Sequence, residues 1–350
     1  MRTGLAIAIM LSCVPAFSGD WNPRLAADYL DARQKDWFAW PAATKSGAPC
    51  ISCHTGMTYM LVRPGLRNVL GEKESTEYER GFLQTMRSHA GKKPAADAPK
   101  DSTGTQVDTV LSVMLLAVED RSSGKLSAET EQAFNRLWAS QAADGAWSWY
   151  NLELDPWEMP ESRFYGAAIA ALAVGCTPAE YRERPEVREH VGRLIQFLNR
   201  GDAGQPLHNR LMLLWAASKL PEAASTVRRN SIVEQATQTQ QPDGGWTIAS
   251  LGPWTAHPMA PAAPASSAGS NAYATAFAAF AMEQAGVPAS DPRLKRALTW
   301  LRAHQDKKGG YWDAVSMNKK YEAGSMMELF MRDAATGFAA MALLNGDSSR

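Results

Sequence analysis

The chain has 350 residues, with 36 Lys+Arg against 36 Asp+Glu and 45% hydrophobic residues. A formal net charge of zero offers nothing to nucleic acid or an anionic membrane surface, so neither is expected as a partner. The apolar content suffices for a sizeable core, as one large domain or two small ones, and four cysteines in so long a chain do not make a disulfide scaffold.

Residues 1–19 read as a signal peptide, with Arg2 ahead of the apolar run Leu5 to Leu11 and small residues at Ala16 and Ser18. That run is far too short to span a bilayer, and no other segment approaches transmembrane length. The chain is therefore expected to be periplasmic or secreted. Lipidation of Cys13, in Leu11-Ser12-Cys13, is the lesser alternative.

A helical pattern over 24–36 is followed by Cys50-Ile51-Ser52-Cys53-His54. Read as C-x-x-C-H, this is the attachment signature of a c-type haem. The two thiols add to two vinyl groups as thioethers, and the adjacent imidazole, in its neutral form, reaches the iron from the proximal side. A thioredoxin-like C-x-x-C and half of a zinc site are the rival readings. No βαβ pattern surrounds the motif and no second Cys pair exists, which disfavours both. One covalent haem c is expected, on Cys50 and Cys53, with His54 as proximal ligand. Haem c is attached outside the cytoplasm, so the motif and the signal agree. Cys176, in the run AALAVGC, is expected to be a buried, inert thiol.

On the next helix, expected over 55–70, Arg63 and Arg67 are four apart and share a face. Their forks match carboxylates, which makes them candidates for the haem propionates, with a salt bridge to an adjacent helix equally open. Trp37, Trp40, Tyr59, Trp157, Tyr165 and Trp254 are the aromatic candidates around the haem. The stretch LELDPWEMPE supplies Glu153, Asp155, Glu158 and Glu161. A pair of carboxylates does acid–base work when one pKa is raised. Four acids in a proline-interrupted loop are instead expected to be helix caps and solvated charge.

Three later segments repeat a pattern: LWASQAADGAWSW (137–149), TQTQQPDGGWTIA (237–249) and LRAHQDKKGGYWD (301–313), with a fainter copy in YLDARQKDWFAW (29–40). Each closes a helix with Gln, turns through Asp, Lys or Gly, and then places Trp. Gln is expected to cap the helix carbonyls, Gly to supply the left-handed turn, and Trp to pin the turn onto neighbouring helices. A helix rich in small residues follows each copy. With this template the chain divides into six pairs, outer helices near 24–36, 74–89, 127–140, 185–199, 222–240 and 292–305, and inner helices near 55–70, 105–120, 163–175, 207–219, 271–285 and 333–345. Strand patterns are absent, so the fold class is all-α.

On these repeats the chain resembles the α/α-toroid of the squalene–hopene cyclase and protein prenyltransferase superfamily, over nearly its whole mature length. It also resembles a group of exported bacterial proteins that join C-x-x-C-H-T-G to squalene-cyclase-like repeats. The resemblance implies an α6/α6 toroid with the haem c segment built into its first repeat. It does not carry cyclase or prenyltransferase chemistry, because neither a D-x-D-D motif nor a D-x-C unit occurs. The expected division is 1–19 signal peptide, 20–105 haem-binding region supplying the first helix pairs, and 106–350 the remaining toroid repeats. The alternative keeps 20–105 as a separate cytochrome fold, with Gly91 to Thr105 as linker.

The outer-to-inner connections are long and gather on one rim, where loops on a rigid scaffold usually carry function. The haem is expected there. For the distal ligand, Met331 is the leading candidate, because ring closure sets the sixth inner helix beside the first. Met159, Met259, Met317, Met326, Met327, His89, His257 and His208 are the others, with an open iron also allowed. The first functional expectation is an exported monohaem c-type cytochrome that transfers electrons to a redox partner protein, with the toroid as scaffold. The alternatives are a haem enzyme acting on an apolar, terpenoid-like small molecule in the toroid cavity, and a haem-based sensor.

Overall fold

The computed structural model describes residues 21–45, 47–91, 102–154, 156–202, 204–254, 269–317 and 320–348. The expected signal peptide with Cys13, most of the stretch from Gly91 to Thr105, and the candidates Asp155, His257 and Met259 lie outside the described residues. Thirteen α-helices are present among the described residues. In chain order they are α1 (Pro23–Ala39), α2 (Gly56–Leu70), α3 (Glu77–Gly91), α4 (Thr103–Asp120), α5 (Ala128–Ala139), α6 (Ser162–Gly175), the single turn α7 (Ala179–Arg182), α8 (Pro185–Gly201), α9 (Leu207–Lys219), α10 (Thr226–Gln238), α11 (Ala272–Gln284), α12 (Pro292–Ala303) and α13 (Phe330–Ser348). Strands are absent among them, and the only bridge is an isolated antiparallel one between Leu154 and Glu158.

The inner helices are α2, α4, α6, α9, α11 and α13. Each packs on the next, and α13 packs back on α2, so the ring closes. The outer helices α1, α3, α5, α8, α10 and α12 surround them, each lying against inner helices. Composition explains the division. In α11, AYATAFAAFAMEQ, every residue from Ala272 to Met282 is buried, as an all-round apolar helix must be. By contrast α8, PEVREHVGRLIQFLNRG, buries only Val187, Leu194 and Leu198 and gives its charged face to solvent. Ala has the highest intrinsic helix propensity and little bulk, so Ala-rich inner helices form readily and approach closely.

The repeated Gln and Trp do what the pattern requires, but with one exchange of roles. The helix C-termini are capped mainly by Trp, although Gln241 Nε2 also donates to the carbonyl of Thr239, at the end of α10, at 3.0 Å. The indole Nε1 of Trp147, Trp246 and Trp312 donates to the carbonyls of Leu137, Ala236 and Leu301, at 2.8, 2.6 and 2.7 Å, each in the last turn of an outer helix. The Gln amides lace that turn to the next outer helix. Gln141 Nε2 donates to the Gly145 and His190 carbonyls, and Gln240 Nε2 to those of Gly244 and Arg293. Gln305 Nε2 donates to the Gly310 carbonyl at 2.8 Å and to that of Asn22 at 2.9 Å, tying α12 to the start of α1 and closing the outer ring.

The connections 40–55, 140–161, 239–271 and 304–329 run outer-to-inner and are long, while 71–76, 121–127, 220–225 and 285–291 run inner-to-outer and are short. The long ones collect at the N-terminal ends of the inner helices. A recess of about 230 Å³ inside the ring lies at the other end, lined by Leu61, Val118, Leu172, Trp215, Phe280 and Met341.

Candidate functional site

The C-x-x-C-H segment ends the first long connection and runs directly into α2. Local bonds fix it. Cys50 N–H donates to the Ala43 carbonyl, and the Trp37 indole donates to the Cys50 carbonyl, both at 2.9 Å. Ser52 Oγ accepts from the Thr55 and Gly56 amides at 3.1 and 3.0 Å, so the motif's own serine caps α2. The three chemistry-bearing side chains are thereby held at one helix N-terminus, Cys50 half-buried and Cys53 buried, both as free thiols.

His54 stands in an aromatic enclosure. Its ring stacks on Phe330 with centroids 3.6 Å apart, and Trp37 and Trp157 flank it at 5.8 and 5.6 Å. Trp40 packs on both Trp37 and Phe330. Beyond Trp157 the enclosure continues through Tyr273, whose hydroxyl meets His208 Nε2 at 2.8 Å, while Tyr165 stacks on His208 and Trp254 borders it. Five of the six aromatic candidates thus gather at this rim. Tyr59 does not: its hydroxyl bonds Asp31 and Thr76, on the flank of α2 that faces the outer helices.

Burial sets the protonation of the site. It pulls His54 down to about 3, with the Arg33 charge acting in the same direction, so the imidazole is neutral at physiological pH. His54 Nδ1 lies 2.9 Å from Thr55 Oγ1, and among the described residues Nε2 takes no hydrogen bond. Burial also pushes both thiols up, Cys53 strongly and with help from Glu158, Cys50 with help from Asp108. The Tyr165 hydroxyl is buried with no partner and lies within electrostatic range of Cys53. Glu158 contradicts the expectation of a solvated loop charge: it is half-buried, no cation among the described residues pairs with it, and desolvation raises its pKa.

Arg63 and Arg67 are both engaged by protein carboxylates. Arg63 Nε and Nη2 grip Asp31 at 3.0 and 3.1 Å, and Nη1 meets Glu72 at 2.7 Å. Arg67 pairs with Glu79. Arg63 also sits about 10 Å along α2 from Gly56, at roughly 1.5 Å per residue, so both forks face away from the rim. The salt-bridge alternative describes them. Met331 is buried in the first turn of α13, next to the Phe330 that stacks on His54. Met326 Sδ accepts from Arg33 Nη1 at 3.3 Å, Met159 is buried in its loop, Met327 is exposed, and His89 of α3 faces Asp108 of α4. Cys176 is buried at the opposite rim, where desolvation raises its pKa, as an inert thiol requires.

The residues that organise the site without having been singled out are Arg33, Thr55, Phe330 and Asp333. Arg33 Nε and Nη2 grip the Asp333 carboxylate at 2.8 and 3.0 Å, and Tyr29 and Thr55 each donate to it at 2.8 Å. No sequence pattern links positions so far apart. Among the described residues no group of three or more His, Cys, Asp or Glu is placed to hold a metal ion. No helix among them is long and apolar enough to cross a membrane.

No family model and no curated protein sequence matches the chain. Solved structures do. A polysaccharide lyase aligns over 93% of this chain and 97% of its own, at TM-score 0.56 and 11% identity. A family 88 glycosyl hydrolase from Bacteroides vulgatus aligns over 93% and 99%, at TM-score 0.52 and 10% identity. An α-1,6-mannanase from Salegentibacter sp. HEL1_6 aligns over 92% and 100%, at TM-score 0.54 and 12% identity. The shared architecture is the α/α-toroid. Likeness at such identity shows the fold alone. It runs against the expectation of an electron-transferring cytochrome and corrects it: the three solved toroids named above are a polysaccharide lyase and two glycoside hydrolases. The terpenoid-directed haem enzyme and the haem sensor fall with that expectation.

Proposed function

We propose that this chain binds one haem c covalently at the loop-rich rim of its toroid, through Cys50, Cys53 and His54, and that it does so outside the cytoplasm. The observation that carries the reading is the placement of C-x-x-C-H at the head of the first inner helix, with His54 neutral and its Nε2 unbonded. The donor set fits the group: two reduced thiols in one short turn, a neutral imidazole, and an aromatic enclosure containing an orphaned buried hydroxyl at Tyr165. Cys50 and Cys53 would each add S–H across a vinyl C=C, sulfur to one carbon and hydrogen to the other, with no oxidant or reductant consumed. His54 would present Nε2 to the metal, and Phe330, Trp37 and Trp157 would exclude water from its ring. When bound, the group would supply a redox-active iron. Met331 remains the proposed distal ligand.

The test is expression with export in a host able to attach haem c. Wild type is expected to stay coloured on a denaturing gel and to gain the mass of one haem, while the Cys50→Ala/Cys53→Ala double variant gives up its haem to acidified organic solvent. Haem retained by the double variant, or none bound covalently by wild type, overturns the reading.

A second reading rests on Glu158. A carboxyl whose pKa burial raises, set in a loop at the mouth of a toroid, is suited to donate a proton to a glycosidic oxygen, the general-acid role in glycoside cleavage. The neighbours named as hydrolases and a lyase favour a polysaccharide as its substrate. Glu158→Gln is expected to lower release of reducing ends from a cleaved polysaccharide by about 100-fold or more, with circular dichroism unchanged. Wild-type activity should fall as pH rises through the raised Glu158 pKa, because the acid form is the active one. Equal rates in wild type and Glu158→Gln would remove this reading.

A further inference from the structure

We infer that Asp333 and Thr55 form a positioning relay that fixes the tautomer and ring orientation of His54, Nδ1 protonated and Nε2 bare, and so aims a single nitrogen at the iron; the assignment to iron rests on the haem reading above. Donor and acceptor counting gives the direction. Thr55 Oγ has one hydrogen, and the bond to Asp333 Oδ2 at 2.8 Å uses it. Towards His54 Nδ1, at 2.9 Å, the same oxygen can only accept, so Nδ1 carries the proton.

Asp333 is locked as the acceptor end. Its two oxygens receive Arg33 Nε at 2.8 Å and Nη2 at 3.0 Å, the Tyr29 hydroxyl at 2.8 Å and the Thr55 hydroxyl. Burial and the Asp333 charge keep the Tyr29 phenol protonated, as a donor must be. Thr55 is itself held, because Gln34 Nε2 donates to its carbonyl at 3.3 Å and its amide is bonded to Ser52 Oγ. Phe330 stacks on the ring face and prevents a flip about the Cβ–Cγ bond. The relay spans α1, the head of α2 and the first turn of α13, so ligand orientation depends on ring closure. Metal-bound histidines generally need such a partner on the second nitrogen, and a carboxylate behind it raises ligand basicity.

Nitrogen-15 NMR of the haem-free chain reads the tautomer directly, with the His54 signals identified by their loss in His54→Gln. Wild type is expected to show a protonated Nδ1 and an unprotonated Nε2. Thr55→Val, which keeps shape and removes the hydroxyl, should mix or invert the tautomers, and Thr55→Ser should restore the wild-type pattern. In the haem-loaded protein Thr55→Val should raise the reduction potential, because the ligand loses the electron-releasing carboxylate behind it, and Thr55→Ser should return it. A wild-type Nε2–H tautomer, or a Thr55→Val variant with unchanged tautomer and potential, overturns the relay. The NMR arm needs no haem, so loss of the haem reading and loss of the relay are told apart.

Discussion

Asp333→Ala is expected to destabilise the folded chain by about 3–5 kcal/mol, the cost of stranding a buried charge. The Arg33 and Asp333 side chains retain 5% and 1% of their exposure, so water cannot replace the lost carboxylate. Tyr29 and Thr55 also lose their acceptor. Urea unfolding with the midpoint and slope compared to wild type measures the loss. Replacing both charges, as Arg33→Met with Asp333→Leu, should recover more than half of it, because a buried pair exchanged for apolar groups is often neutral. A loss below about 1 kcal/mol in the single variant would mean that the pair is not buried in solution.

A methyl group at Gly310 should act at the other end of α1. Gly310 has φ of 76°, and a Cβ there would stand 2.3 Å from the Leu25 backbone carbonyl carbon and oxygen. Gly310→Ala is therefore expected to cost about 3 kcal/mol or more, combining left-handed strain with a clash that only backbone movement relieves. Gly124→Ala separates the two contributions. Its φ is 68° with nothing within 4 Å of the new Cβ, so only strain remains, about 1 kcal/mol. Thermal unfolding of both variants checks the ranking, and equal losses would show that the outer-ring seam tolerates displacement.

The helix pairs were legible because small-residue helices and Gln–Gly–Trp turns leave local signals, and both repeat closely enough to align. The observed inner helices α2, α4, α6, α9 and α11 begin within two residues of their expected starts, and α13 begins at Phe330 in place of Asp333. That shift matters, because it brings into the helix the aromatic ring that stacks on His54. The C-x-x-C-H segment was legible for the same local reason. Arg33, Thr55 and Asp333 were not, since their meeting is a product of ring closure between positions 300 residues apart. Glu158 was misread because its neighbours Pro156 and Pro160 suggest a solvated loop, whereas the bridge to Leu154 folds that loop inward beside Trp157. Arg63, Arg67 and Tyr59 lie on faces of α2 that a spacing of four residues alone does not assign to rim or flank.

The stacking of Phe330 on His54 also imposes an order on assembly. Cys50, Cys53 and His54 emerge early in synthesis, while the ring that stacks on His54 opens the thirteenth helix. Until α13 docks, the His54 ring lacks the aromatic face that stacks on it and the carboxylate behind Thr55. The motif is therefore made long before the residues that orient its histidine. Docking of α13 completes the enclosure, so the surroundings of the first helix's histidine are finished only by the last helix.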